Sequence, residues 1–370
     1  MRIKVALLLL AVGIVVKCPP RTRVVQAAPV QQASLPERLS DADFWSLASS
    51  ISEPGGYFRI VDNFTSNENE IGRLFPRIAA LGNTGGGVYL GVGPEQNLTY
   101  IAALRPAMAF VLDIRRQAAM QHLMFKAVFE LSKDRADFIS TLFAKPKPAD
   151  LDSKASIQQI WEAFDKLPTD KVLPVKNHTA ILSRLKTHGI TLSEDEAAQL
   201  DIVLDAFVRY GPGITTNSGS GGRGGNSVSF EDLTGWSADD SGVTRSFLST
   251  DENYQFVKTL QEKNLVIPVT GDFGGPKALR AIGKYLHEHN GIVRAFYLSN
   301  VEQYLFMDGK AETFYGNVAT LPLNDSSVFI RPYALRQGFR ADPLCGIVKF
   351  LAAAKSGLAA TNNEALSCPQ

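Results

Sequence analysis

Short apolar runs alternate with segments of helical period along two stretches of the chain, and a more polar, helix-rich stretch separates them. In the first, Val88–Val92 reads as a buried strand, Asn97–Leu104 as a helix and Ala109–Asp113 as a second strand ending in a carboxylate. Arg116–Leu131 follows as a helix, with Met120, Leu123, Met124, Ala127 and Leu131 at helical spacing; Met120, His122 and Met124 read as packing residues. In the second, Leu265–Asp272 and Ile292–Asn300 are buried strands on either side of a helix, Pro276–His289, with proline in its first turn. Strand, helix and parallel strand of these lengths make right-handed βαβ units. The pattern therefore predicts an α/β fold with a doubly wound, mostly parallel sheet and a helical insertion between its second and third core strands.

The insertion spans residues 145–262, between sheet-forming parts at 40–144 and 263–335. Ser156–Leu167, Thr179–His188 and Glu194–Tyr210 read as helices, the last opened by a Ser193-x-x-Glu196 capping box, and Ser249-x-x-Glu252 opens another to about Glu262. Gly211–Gly225 is a flexible loop: it lacks the Gly-Lys-Ser/Thr ending of a phosphate cradle and no buried strand precedes it. Upstream, Asp41–Ile51 is a helix, Ser52–Phe58 a turn, and Asp62–Glu68 a cluster suited to capping a helix through Ile71, Leu74, Phe75 and Ile78. That cluster admits a second reading as a lid, with Tyr57, Asp62, Asn63 or Asn67 touching a ligand. Residues 336–370 read as a tail.

The N-terminus adds a compartment. Met1-Arg2-Ile3-Lys4, the apolar run Val5–Val16 and Val25-Gln26-Ala27 are the parts of a secretory signal peptide over 1–27, followed by a linker over 28–39. The expectation is export to a periplasmic or extracellular space; the alternatives are a cytoplasmic chain or one anchored at a membrane surface. The apolar run is too short to span a bilayer, which takes roughly 20 residues, so no integral membrane domain is expected. With Cys18 removed, Cys345 and Cys368 are free to bridge in an oxidising compartment or to remain separate thiols. Hydrophobic residues at 45% and charged residues at 20% describe an ordinary globular protein, and a net charge of +1 gives no support for a nucleic-acid partner. There is no Cys-x-x-Cys, His-Glu-x-x-His or Gly-x-Ser-x-Gly. No metal site is expected; His287 and His289 sit at a helix end, where the dipole favours them. Oligomeric state is not legible.

Ligands in open α/β sheets bind beyond the carboxyl ends of the strands. Gly91, Gly93, Asp113, Asp272, Ser299 and Asn300 all occupy such ends. Glycines allow close backbone approach to a ligand, and Asp113, about 20 residues past Gly93, is placed to accept hydrogen bonds from two ribose hydroxyls. Gly91-Val92-Gly93-Pro94-Glu95-Gln96 lacks the closing glycine of a dinucleotide fingerprint, which disfavours a nicotinamide cofactor.

This arrangement resembles the Rossmann-like fold of class I S-adenosylmethionine-dependent methyltransferases. Gly91-Val92-Gly93 matches their first glycine loop, Asp113 the ribose-holding acid, Gly271-Asp272 the segment beside adenine, and Ser299-Asn300 the reaction-site motif. Val111–Arg115 and Phe296–Leu305 are also similar to aminocarboxypropyl transferases that make betaine-lipid headgroups, and Gly55–Phe58, Val88–Asn97 and Tyr297–Leu305 resemble a bacterial family grouped with methyltransferase-like proteins. The resemblance covers roughly residues 40–335. It implies S-adenosylmethionine as cofactor, with Gly91, Gly93, Glu95, Asp113 and Asp272 around it, and transfer of a methyl or aminocarboxypropyl group to a small-molecule or lipid-like acceptor oriented by Ser299, Asn300, Glu302 or Tyr297. Tyr89 stands where these enzymes usually carry a carboxylate, and Glu95 stands in place of their third glycine. The alternative is an exported, non-catalytic binding or structural protein that keeps the fold.

Overall fold

The computed structural model describes residues 34–60, 63–68, 71–82, 86–152, 154–168, 170–219, 227–332 and 342–369. The expected signal peptide, Asp62 and the centre of the glycine-rich loop lie outside the described residues. The order begins α1 (Asp41–Ile51), a 3₁₀ turn (Ile71–Leu74) running into α2 (Phe75–Gly82), β1 (Val88–Gly91), α3 (Gln96–Leu104), β2 (Met108–Asp113) and α4 (Arg116–Leu131). α5 (Arg135–Phe143) follows ahead of the insertion, which carries α6 (Ile157–Asp165), α7 (Leu173–Thr187), α8 (Glu194–Tyr210) and α9 (Asp251–Glu262). The chain then returns to the sheet with β3 (Val266–Thr270), α10 (Ala278–Glu288), β4 (Val293–Tyr297), α11 (Val301–Met307), α12 (Ala311–Val318) and β5 (Val328–Ile330). It closes with β6 (Leu344–Gly346), α13 (Ile347–Lys355) and α14 (Asn362–Leu366).

The molecule is thus a mixed α/β structure, about half helical among the described residues, on one six-stranded sheet of order β3-β2-β1-β4-β5-β6. All neighbours are parallel except β5 and β6. Every residue of β1, β2 and β3 is buried, the signature of strands covered on both faces, which is why they read as unbroken apolar runs. The edge at β3 is closed by the chain around α1: Glu53 donates its backbone N–H to Thr270 O (2.8 Å), and Thr270 N–H donates to Ser52 Oγ (3.0 Å). An exposed ladder edge invites pairing with another chain, and these bonds occupy it.

α4 is the axis of the helical part, buried on nearly every face because its apolar residues surround it. Its buried Lys126 donates to Glu130 Oε1 and to Gln261 O, both at 2.6 Å. Glu130 Oε2 lies 2.6 Å from His188 Nε2, whose Nδ1 lies 2.7 Å from Asp41. One chain of polar contacts thereby ties α1, α4 and the end of α7 together. Arg135 does the same for α5, α9 and the start of α6, through Asp251 (2.7 Å) and the carbonyls of Leu248, Ser249 and Ala155.

The capping box expected at Ser193 is present. At α9 the cap moves one residue: Thr250, not Ser249, accepts from Asn253 N–H. The stretch expected to be a tail joins the sheet instead. β6 pairs antiparallel with β5 and is joined by a disulfide from Cys345 to Cys368, a separation of 23 residues. No helix among the described residues is long and apolar enough to cross a membrane.

A bond closing a loop of that length removes unfolded-state entropy equivalent to about 3 kcal/mol. Urea unfolding of the protein with and without reductant, and of Cys368→Ser, is expected to show a loss of about that size in both. Equal midpoints for oxidised and reduced protein would contradict the bridge.

Candidate functional site

The loop after β1 is built around one side chain. Asn97, fully buried in the first turn of α3, shares the two hydrogens of Nδ2 among the carbonyls of Val92 (2.9 Å), Gly93 (3.1 Å) and Pro94 (2.7 Å), while its Oδ1 accepts from the Tyr89 hydroxyl (2.9 Å). This explains Gly91: a Cβ there would stand 1.9 Å from Asn97 Oδ1 and 2.5 Å from the Tyr89 oxygen. Gly93 has φ +77°, and a Cβ on it would meet nothing within 4 Å, so this glycine serves the backbone turn. From α4, His122 Nε2 reaches Gly93 O at 2.8 Å. Burial pushes the His122 imidazole down, which keeps it neutral, and a carbonyl partner requires the proton on Nε2.

The segment 63–68 is fastened beside that loop. Glu95 takes the backbone N–H of Ser66 on its carboxyl group, with both oxygens at 3.1 Å. Gln121 Nε2 donates to Phe64 O (2.6 Å), and Thr216 donates to Asn63 Oδ1 (2.7 Å). Burial lifts Glu95 to about 8; the Ser66 bond opposes that and the charge of Glu68 adds to it. Burial and Glu68 also raise Tyr89, Tyr100 and Tyr297, so these phenols stay neutral. Tyr100 packs 4.6 Å from Tyr297, centroid to centroid.

A cavity of about 280 Å³ opens at the carboxyl ends of the central strands. Of the site residues expected from sequence, Gly93, Asp113, Asp272, Ser299 and Asn300 line it together, as do Tyr57, Asn63 and Asn67 from the lid reading. Three others point elsewhere. Gly91 is packed under the loop, Glu95 is turned to Ser66, and Glu302 accepts from Arg331 and from the Tyr315 hydroxyl, both at 2.7 Å. Arg331 is fully buried between Phe329 and Phe350, so Glu302 is the counter-charge that permits an arginine there. His287 and His289 each face a backbone carbonyl, Thr320 O and Tyr285 O respectively.

Asp113 takes three N–H groups of Arg115: backbone N (2.9 Å) and Nε (3.1 Å) on Oδ1, and Nη2 (2.9 Å) on Oδ2. A carboxylate has room for about four, so acceptor capacity remains. Asp272 pairs with Lys310 (2.6 Å), which raises the amine, and its backbone N–H donates to Glu53 Oε2 (3.0 Å). Glu53 Oε1 meanwhile takes the N–H groups of Lys277 (2.9 Å) and Ala278 (3.0 Å), capping α10 from 224 residues away. Ser299 adopts φ +47°, a left-handed conformation at the end of β4 that costs a non-glycine residue about 1 kcal/mol.

The remaining wall is a strap, residues 53–60. Gly56 N–H donates to Ile114 O (2.8 Å), and a Cβ on Gly56 would fall 2.6 Å from Ile114 Cγ1. Phe58 meets Tyr304 of α11 edge-on at 4.9 Å, with Arg59 stacked on Tyr304 (4.7 Å) and Arg115 over Phe58 (6.0 Å). Arg59 and Lys310 fall outside the sequence expectations, and Arg115 and Tyr304 fall inside the resemblance motifs without an assigned role. The paired glycines before Tyr57-Phe58 are the local sign of a close approach; Lys310 and Glu53 have no local sign.

The model of a domain of unknown function, DUF7790, matches residues 63–196 and 231–344. The chain belongs to the DUF7790 family. No curated protein matches the chain. The two DUF7790 segments contain the glycine loop, Asp113, Asp272, Ser299 and Asn300, whereas the strap precedes them.

Glu95 makes stability pH-dependent with a defined sign. Its folded value, about 8, lies above the ordinary 4.5, so the folded state holds a proton that the unfolded state releases. The contribution is complete below pH 4.5 and is lost as pH rises towards 8. Over that window the wild type is expected to lose up to about 1.4 kcal/mol per pH unit more than Glu95→Gln. Parallel stability–pH curves from urea unfolding would refute the assignment.

Proposed function

We propose that the crevice binds S-adenosylmethionine and that the protein is a transferase of a methyl or aminocarboxypropyl group. The observation that supports this is the convergence of Gly93, Asp113, Asp272, Ser299 and Asn300 on one cavity. We read the sheet as Rossmann-like and doubly wound: from β1 the chain moves one way to β2 and β3, then back across to β4 and β5, and the cavity lies at that reversal. The residues suit an adenosyl group. Asp113 retains acceptor capacity for a ribose once Arg115 shares it, Gly93 lets a ligand approach the backbone, and Asp272 and Phe273 lie where adenine would rest.

When bound, the cofactor supplies an electrophilic carbon on a sulfonium. The protein's part is to hold an acceptor in line with it. Ser299 and Asn300 face the cavity from the end of β4 and the start of α11, and Tyr297 lines it beside them. Glu302 is a positioning residue on this reading, fixing α11 through Arg331 and Tyr315. The acceptor is a small or lipid-like molecule.

A second reading, an exported binding protein without catalysis, is favoured by the disulfide, because such bonds persist in oxidising compartments. Cell fractionation with N-terminal sequencing is expected to find the chain outside the cytoplasm and cleaved near Ala27; an intact Met1 in the cytosol would remove export from both readings.

Calorimetry separates transferase from bare scaffold. S-adenosylmethionine and its demethylated product are expected to bind the purified protein, and Asp113→Ala to weaken both by about tenfold or more. No heat at millimolar cofactor would overturn the transferase reading.

A further inference from the structure

The cavity wall between the strap and α11 carries charge that the cofactor reading leaves unused. Of the cations lining the cavity, Arg115 is committed to Asp113 and Lys310 to Asp272. Arg59 has no carboxylate partner among the described residues; Asp308 acts on it only through space, without an ion pair. Its guanidinium lies against the Tyr304 ring at 4.7 Å. A hydrogen bond to the Tyr304 side chain engages one of its five N–H groups and leaves the others of that planar fork for a carboxylate or phosphate.

Arg59 belongs to an ordered row. Arg115, beside Asp113, lies over Phe58; Phe58 meets Tyr304 edge-on; and Tyr304 carries Arg59. The row runs from Arg115, beside Asp113, to Tyr304 of α11, on which Arg59 lies. Neutral donors from Asn67, Ser299 and Asn300 line the same cavity.

We propose that this wall is an oxyanion site: Arg59, held on Tyr304, receives a phosphate or carboxylate group of the acceptor. The inference rests on the crevice being a ligand site but not on the identity of its cofactor. Two sources share this chemistry, a soluble phosphate ester and the headgroup of an anionic lipid.

The full chain is titrated by calorimetry with inorganic phosphate, glycerol phosphate and, as the neutral control, glycerol, and is sedimented with vesicles of phosphatidic acid or of phosphatidylcholine. Both soluble phosphates are expected to bind at millimolar concentration and glycerol not to. Arg59→Ala is expected to weaken phosphate binding by about tenfold, with Arg59→Lys recovering only part, because lysine keeps the charge and loses the fork. Arg59 is exposed, so the substitution leaves folding intact, which unchanged thermal unfolding verifies. Arg209, stacked on Tyr210 outside the cavity, supplies the control: Arg209→Ala leaves binding unchanged. Arg59-dependent sedimentation with phosphatidic acid vesicles assigns the oxyanion to a lipid headgroup; Arg59-dependent binding of the soluble phosphates alone assigns it to a soluble ester. Asp113→Ala, which loses the cofactor on the earlier reading, keeps phosphate binding, so the two ideas fail separately. The proposal is overturned if the wild type binds neither soluble phosphate nor phosphatidic acid vesicles, or if Arg59→Ala binds as the wild type does, or if Arg209→Ala costs as much.

Discussion

The buried amide of Asn97 is the constraint on which the crevice depends. One side chain takes the carbonyls of three consecutive residues and the hydroxyl of Tyr89, and so sets the path of the chain from β1 into α3. Two further residues of the loop complete it. Tyr89 is the donor that satisfies Asn97 Oδ1, and Glu95 reaches back to Ser66 and fixes the neighbouring segment. The loop is shaped by side-chain hydrogen bonds as well as by its glycines. A buried polar group left without a partner costs about 1–3 kcal/mol, so each of these residues constrains the others.

Buried charge holds the supporting elements. Arg331 and Glu302 stand fully desolvated beneath α11, and Lys126, Glu130, His188 and Asp41 form a chain joining α1 to the helical part. Breaking one partner of a buried pair costs about 3–5 kcal/mol, whereas the pair itself adds little net stability. Their effect is on arrangement: α11 is fixed where it presents Asn300 and Tyr304, and α1 is fixed where Ser52 and Glu53 meet β3.

The sheet was legible because strands buried on both faces read as apolar runs: Ala109–Asp113 and Leu265–Asp272 fall on β2 and β3, and Arg116–Leu131 is α4 to the residue. Glycine and carboxylate positions at strand ends were legible for the same reason, since topology alone brings Gly93, Asp113, Asp272 and Asn300 together. Side-chain direction was not. The resemblance implied that Glu302 orients the acceptor, yet its partner is Arg331, 29 residues on. The strand role of Leu344–Gly346 was hidden for a related reason: three residues are too few for a period, and their pairing and disulfide are long-range facts.

The two walls of the crevice differ in how they are fastened. The glycine loop is held by the Asn97 amide, in reach of three carbonyls, and by His122, and the segment beside it by Glu95, Gln121 and Thr216. The strap is anchored at its start by Glu53, but past that residue it keeps Gly56 to Ile114 by one backbone bond and rests on ring contacts, with Tyr57 85% exposed. Hydrogen bonds fix position closely, and aromatic edge contacts worth about 1 kcal/mol tolerate sliding. The closely held wall is the one that bears Gly93. The weakly fastened wall bears Arg59, Phe58 and Tyr57, the side chains available to a second ligand.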